Sequence, residues 1–248
     1  MHASADSRRA GPELVLQFVF RPLSNLVVPP LARLGVDPVL VVLANTAAGL
    51  VAAIALARGE LVAAAVLIQL KTLLDNCDGQ LARASGRVTL LGRYLDTEAD
   101  LLVIAALFAA LAHVTGHLLL AVLAFAALVL VLAVDFNATE LFREAHGTAR
   151  PLAPATGGAF EKLLAKIYEL VFGPLDRATR RLWEGVDVDR FTVTALANMG
   201  LSTQLAVLGI LLALDLPDAY LWFALCGLLA VLGLRLRAEV RARRLRAA

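Results

Sequence analysis

Long apolar runs separated by short polar breaks set the plan of this chain. Six stand out: Val39–Ala57, Leu61–Leu74, Leu101–Val114, Leu118–Val134, Thr194–Leu214 and Ala219–Leu234. A helix needs about 20 residues to cross a bilayer. The second and third runs hold roughly 14 each, so both helices must continue into the polar stretch between them. That stretch then lies just inside the membrane boundary. The pattern predicts an all-α integral membrane protein, a six-transmembrane-helix bundle.

The remaining segments are read by contrast with these runs. Residues 1–11 are polar and expected to be disordered. Pro12 to Gly35 is apolar but interrupted by Arg21, Pro22, Pro29, Pro30 and Arg33, which suits an interfacial amphipathic helix better than a span. Between Asp135 and Arg190, Phe160, Leu163, Leu164, Ile167, Val171, Leu175, Ala178 and Leu182 recur at helical intervals with basic residues between them. This predicts amphipathic helices on the membrane surface, broken near Gly173-Pro174. The chain thus divides into residues 1–35 (polar tail and interfacial helix), 36–135 (four spans enclosing a polar stretch at 75–100), 136–191 (amphipathic cover) and 192–248 (two spans and a basic tail).

Composition agrees: 60% of the 248 residues are hydrophobic and the mean hydropathy is +0.76. The net charge of +2 gives no footprint for nucleic acid. Where the charges lie is more telling. Of 23 lysines and arginines, all but Arg58 fall in the N-terminal region, the 71–93 stretch, the 136–191 segment and the C-terminal tail. This asymmetry places both termini and the polar stretch on the cytoplasmic side of a cell (plasma or inner) membrane. No cleavable signal peptide is expected. Cys77 and Cys226 imply no disulfide framework, and His113 and His117, four apart, lack a third ligand nearby in sequence.

The polar stretch carries the chemistry. Asp75 and Asp78 are three apart, and Asp96 and Asp100 four apart, so each pair shares one helix face. Two helices joined by a turn near Ser85-Gly86 would aim four carboxylates at one space. Uncompensated at a membrane, such a cluster is costly, so it should hold something positive. Hard oxygen ligands suit one or two divalent cations, Mg²⁺ or Mn²⁺, with phosphate oxygens completing the shell.

Residues 75–100 read D-x2-D-G-x2-A-R-x8-G-x3-D-x3-D without a mismatch. This resembles the signature of the CDP-alcohol phosphatidyltransferases, membrane enzymes of phospholipid synthesis. The resemblance implies a CDP-linked donor, commonly CDP-diacylglycerol, an acceptor hydroxyl that attacks the lipid-bearing phosphoryl group, and release of CMP. Asp75, Asp78, Asp96 and Asp100 would be metal ligands, with Asp100 also taking the acceptor proton. Arg83 offers a fork of donors to phosphate. Gly79, Ala82 and Gly92 leave room for nucleotide and close helix packing, and Asn76 and Thr89 occupy positions of nucleotide contacts in the family. A homodimer is also implied.

Two departures qualify the resemblance. The family's Pro-Asn-x-x-Thr at the start of span one reads Pro38-Val39-Leu40-Val41-Val42 here, with Asn45 as a substitute. Leu101 follows the last aspartate where members using phosphorylated acceptors carry Lys or Arg. The acceptor is left open, with Arg93, Arg143 and Arg150 as basic candidates for binding it. A membrane prenyltransferase would place its aspartate motifs far apart in sequence. A divalent-cation transporter would carry polar residues at mid-membrane in several spans.

Overall fold

The computed structural model describes residues 11, 13–148 and 153–247. The proposed disorder of residues 1–10 and the candidate Arg150 lie outside them. Among the described residues the chain is helical throughout. A π-helical turn at Leu16–Phe20 leads into α1 (Arg21–Arg33), followed by α2 (Pro38–Ala57), α3 (Leu61–Ala84), α4 (Leu90–Thr115) and α5 (Leu118–Ala145). Two shorter helices, α6 (Ala159–Val171) and α7 (Gly173–Leu182), precede α8 (Arg190–Ala197), α9 (Leu201–Ala213) and α10 (Pro217–Ala247).

Among the described residues, five stretches are long and apolar enough to cross a membrane: α2, α4, α5, α8–α9 together, and α10. The expected second span, α3, has 24 residues, but Lys71 lies near its middle and Asp75, Asp78 and Arg83 occupy its second half. It equals the others in length and falls behind them in hydropathy for that reason. As the short apolar runs required, α3 and α4 both extend into the polar stretch.

Helix ends follow local chemistry. Asp37 caps α2, its Oδ1 accepting from the Val39 amide at 2.9 Å, and Pro38 takes the first helical position. Gly86, at φ 67°, supplies the left-handed residue that ends α3 and turns the chain. Thr89 caps α4 by accepting from the Gly92 amide at 3.1 Å.

Packing in the bundle relies on small residues. Ala52, Ala64, Ala121 and Ala124 are all 1% exposed or less, and they let neighbouring backbones approach. At Gly49 a Cβ would fall 2.5 Å from Val103 Cγ1, so only glycine allows α2 to lie this close to α4. Leu56, Ile68, Leu107, Leu111, Leu128 and Leu208 fill the core between these helices. Large side chains such as Leu26, Leu43, Val62, Val66, Leu102 and Leu229 point outward and exposed, as lipid contact requires.

The fifth predicted span differs from expectation. It is broken at residues 198–200 between α8 and α9. Asn198 there accepts from the Leu14 amide at 2.8 Å through Oδ1, which ties the N-terminal segment to the break. The basic residues Arg235–Arg244 continue α10. Helices α6 and α7 meet at Phe172-Gly173, the break expected near Gly173-Pro174. Phe160, Leu163, Ile167 and Leu170 form an exposed apolar face on α6. The opposite side of α6 lies on α4, where Tyr94 and Tyr168 rings meet at 5.4 Å.

Candidate active site

On α3, Lys71, Asp75 and Asp78 fall at i, i+4 and i+7, a single stripe facing α4. The Gly86 turn brings Asp96 and Asp100 against it. Carboxylate oxygens of Asp75, Asp78 and Asp96 all lie within 4.8 Å of one another. Asp78 is buried, and Asp96 Oδ1 is buried with no hydrogen-bond partner. Three like charges so close at a membrane boundary repel one another strongly, and an orphaned buried oxygen adds to the cost. The set is all hard oxygen, so it fits a divalent cation that would satisfy both needs.

Asp100 is placed differently. Lys71 Nζ donates to Asp75 Oδ1 at 2.8 Å and to Asp100 Oδ1, bridging the two helices. Lys71 itself is 1% exposed. The fourth aspartate is thus held by a fixed ammonium beside the triad. Reading the sequence for charge asymmetry hid this role. The signal was present, because Lys71 lies one turn before Asp75 on the same face.

Asn45 reaches from α2 to donate through Nδ2 to Asp78 Oδ2 at 2.8 Å, so the substitute for the missing family asparagine does arrive at the site. Its own Oδ1 is buried without a partner. Arg83 lies over Gly79, whose hypothetical Cβ would stand 3.4 Å from Nη1. Its guanidinium is exposed at the mouth of the site. Ala82 is half-buried beside it. Thr89 and Gly92 form the α4 cap described above, and Asn76 Nδ2 donates to Thr72 O within α3 at 2.7 Å.

The stretch that arranges these residues also decides the family. A family model described as CDP-alcohol phosphatidyltransferase matches residues 36–166, just over half of the chain. The chain belongs to the CDP-alcohol phosphatidyltransferase family. It is therefore a membrane transferase of phospholipid synthesis, moving a phospho-alcohol group from a CDP-alcohol donor to an alcohol acceptor with divalent-metal dependence. No curated protein and no solved structure matches the chain.

Arg143 Nη1 pairs with Glu140 Oε1 at 2.7 Å and its charge also acts on Asp135, while the exposed Arg93 acts on Tyr168. His117 Nε2 lies 3.6 Å from Asp218 Oδ1 on an exposed surface. Cys77 is buried and Cys226 exposed, and both are free thiols.

Proposed function

We propose that this transferase moves a phosphatidyl group from CDP-diacylglycerol to a hydroxyl acceptor and releases CMP. The observation that supports it most is the convergence of Asp75, Asp78 and Asp96 within 4.8 Å beside a lysine-held Asp100. Asp75, Asp78 and Asp96 would hold Mg²⁺ or Mn²⁺, which when bound neutralises the donor diphosphate and stabilises charge on the departing phosphate.

The chain's own residues carry the rest. Asp100 accepts the acceptor proton as the new P–O bond forms, and CMP departs with the electron pair of the broken P–O bond. Lys71 fixes the orientation of Asp100 through its second contact to Asp75. Asn45 holds Asp78 in its rotamer. Arg83 binds a donor phosphate, while Asn76, Gly79, Ala82, Thr89 and Gly92 line the nucleotide side. Both termini and the site face the cytoplasm of the cell membrane, α3 spans as the sixth helix, and the chain works as a homodimer with no nucleic-acid partner.

The test is CMP release by purified protein with Mg²⁺ or Mn²⁺ and CDP-diacylglycerol across a panel of acceptor alcohols. Metal-dependent release that is lost in Asp100→Asn supports the reading. Release unaffected by Asp100→Asn removes the assigned base. Release only from a non-lipid CDP-alcohol reassigns the donor.

A further inference from the structure

A second acid-lined space adjoins the motif. It is a cavity of about 350 Å³ with Asp96 and Asp100 in one wall and Glu13 and Asp135 in another. Tyr168, Phe172 and Asp176, from α6, α7 and the residue between them, close it on the cytoplasmic cover. Among its described lining residues there is no Lys, Arg or His; Arg143 and Arg93 act on Asp135 and Tyr168 from outside the lining.

Two carboxylate oxygens in this wall are unpaired. Asp135 Oδ1 and Glu13 Oε1 are both buried and neither has a hydrogen-bond partner. Glu13 is a cap in part, since it meets Ser202 and the Thr203 backbone at the start of α9. That role leaves Oε1 unused. Burial, and then the nearby Asp135, push the Glu13 carboxyl up to about 7, against the hydrogen bonds from Ser202 and the Thr203 backbone.

Among the described residues, Asp75, Asp78 and Asp96 are the one group of three acidic side chains close enough together to share an ion. At about 350 Å³ the adjoining cavity offers room for an organic cation. Its cover suits one as well. Tyr168 and Phe172 rings stack at 5.1 Å, and the Tyr168 hydroxyl donates to Asp176 Oδ2 at 3.1 Å, which fixes the ring. Aromatic faces beside carboxylates attract ammonium groups.

We infer that this cavity is the acceptor subsite and that it takes an amino alcohol. The ammonium sits between Glu13 and Asp135 beneath the two rings, and the hydroxyl points to Asp100. Its oxygen bonds to the lipid-bearing phosphorus, its proton passes to Asp100, and the P–O bond to CMP breaks with the electron pair leaving on CMP. This assignment rests on the phosphotransferase reading of the motif.

The test is equilibrium binding of choline, ethanolamine, myo-inositol and glycerol 3-phosphate to the full chain in nanodiscs, with Mn²⁺ and CMP present. The expected result is binding of an amine at least about tenfold tighter than of inositol or glycerol 3-phosphate. Asp135→Asn should weaken amine binding by about tenfold and Glu13→Gln, which keeps the cap, by several-fold. CMP affinity should change less than about twofold in both. Tighter binding of inositol or glycerol 3-phosphate, no amine binding, or unchanged amine binding in Asp135→Asn overturns the inference. A parallel CMP-release assay separates the two levels. Turnover with glycerol 3-phosphate alone overturns the subsite and leaves the reaction standing. Amine binding without CMP release from any CDP-linked donor upholds the subsite and overturns the reaction.

Discussion

Two acid-rich regions share one end of this bundle, and they are compensated in opposite ways. In the motif, Lys71 holds Asp75 and Asp100, and Asn45 donates to Asp78, so only part of the negative charge awaits a metal. In the adjoining cavity, Glu13 and Asp135 each keep an unpaired buried oxygen and no base lines the wall, although Thr139 bonds Asp135 and Arg143 acts on it from outside the lining. The first region is built by the chain to be nearly complete. The second is left for a ligand to complete. Charge count alone would not separate them, whereas partners do.

The sharpest break in this comparison is at the triad. Asp78→Asn should lower CMP release by about a thousandfold or more while the protein still folds, and EDTA should do the same to the parent. Turnover and circular dichroism measured together check it. Next comes Lys71. Lys71→Met leaves Asp75 and Asp100 without their internal cation, and losing one partner of a buried pair costs about 3–5 kcal/mol. Turnover should fall by roughly a hundredfold through misplacement of Asp100, seen in kcat more than in donor KM. Thermal unfolding in detergent reads the stability part.

Smaller effects belong to the second region. Asp135→Asn should raise the amino-alcohol KM by about tenfold with kcat within about twofold, because it removes ground-state binding. A pH profile sharpens this further. With the Glu13 carboxyl at about 7, the neutral acid predominates below that pH and the carboxylate above it. Asp135, Ser202, Thr203 and the charge of Asp75 act on the same group. Amino-alcohol KM should therefore fall as pH rises from 6 to 8, and the trend should flatten in Glu13→Gln.

The smallest effect lies outside both regions. Asp189 caps α8 by accepting from the Thr192 amide, and Arg237 pairs with it at 3.0 Å. Burial opposes its charge, yet the bonds from Arg237 and Thr192 hold its carboxyl down at about 2. A depressed carboxyl contributes stability above its unfolded value of 3.8, and that contribution is lost as pH falls through about 2. Asp189→Asn should cost about 1 kcal/mol at pH 7 with CMP release unchanged.

The same contrast explains what the sequence made legible. The motif aspartates come from two helices adjacent in the chain, so spacing alone assigns each pair to one face and the Gly86 turn joins them. Helix lengths were legible for the same reason, since short apolar runs forced α3 and α4 into the polar stretch. The cavity is assembled from Glu13, Asp135, Tyr168 and Asp176, four segments whose approach depends on tertiary packing. No local period announces that. The break in the fifth span was hidden because residues 194–214 carry no charge, and its stabilising contact comes from Leu14, 184 residues away. Asn45 was visible as a substitute only beside a known pattern, and Lys71 was visible by periodicity but read for its charge.

The most direct measurement is Mn²⁺ binding to the purified chain, by isothermal titration, set beside the Mn²⁺ dependence of CMP release from CDP-diacylglycerol. The account predicts that binding and release follow the same metal concentration, and that Asp96→Asn weakens both together. Release that proceeds at full rate in Asp96→Asn, or without bound metal, would contradict it.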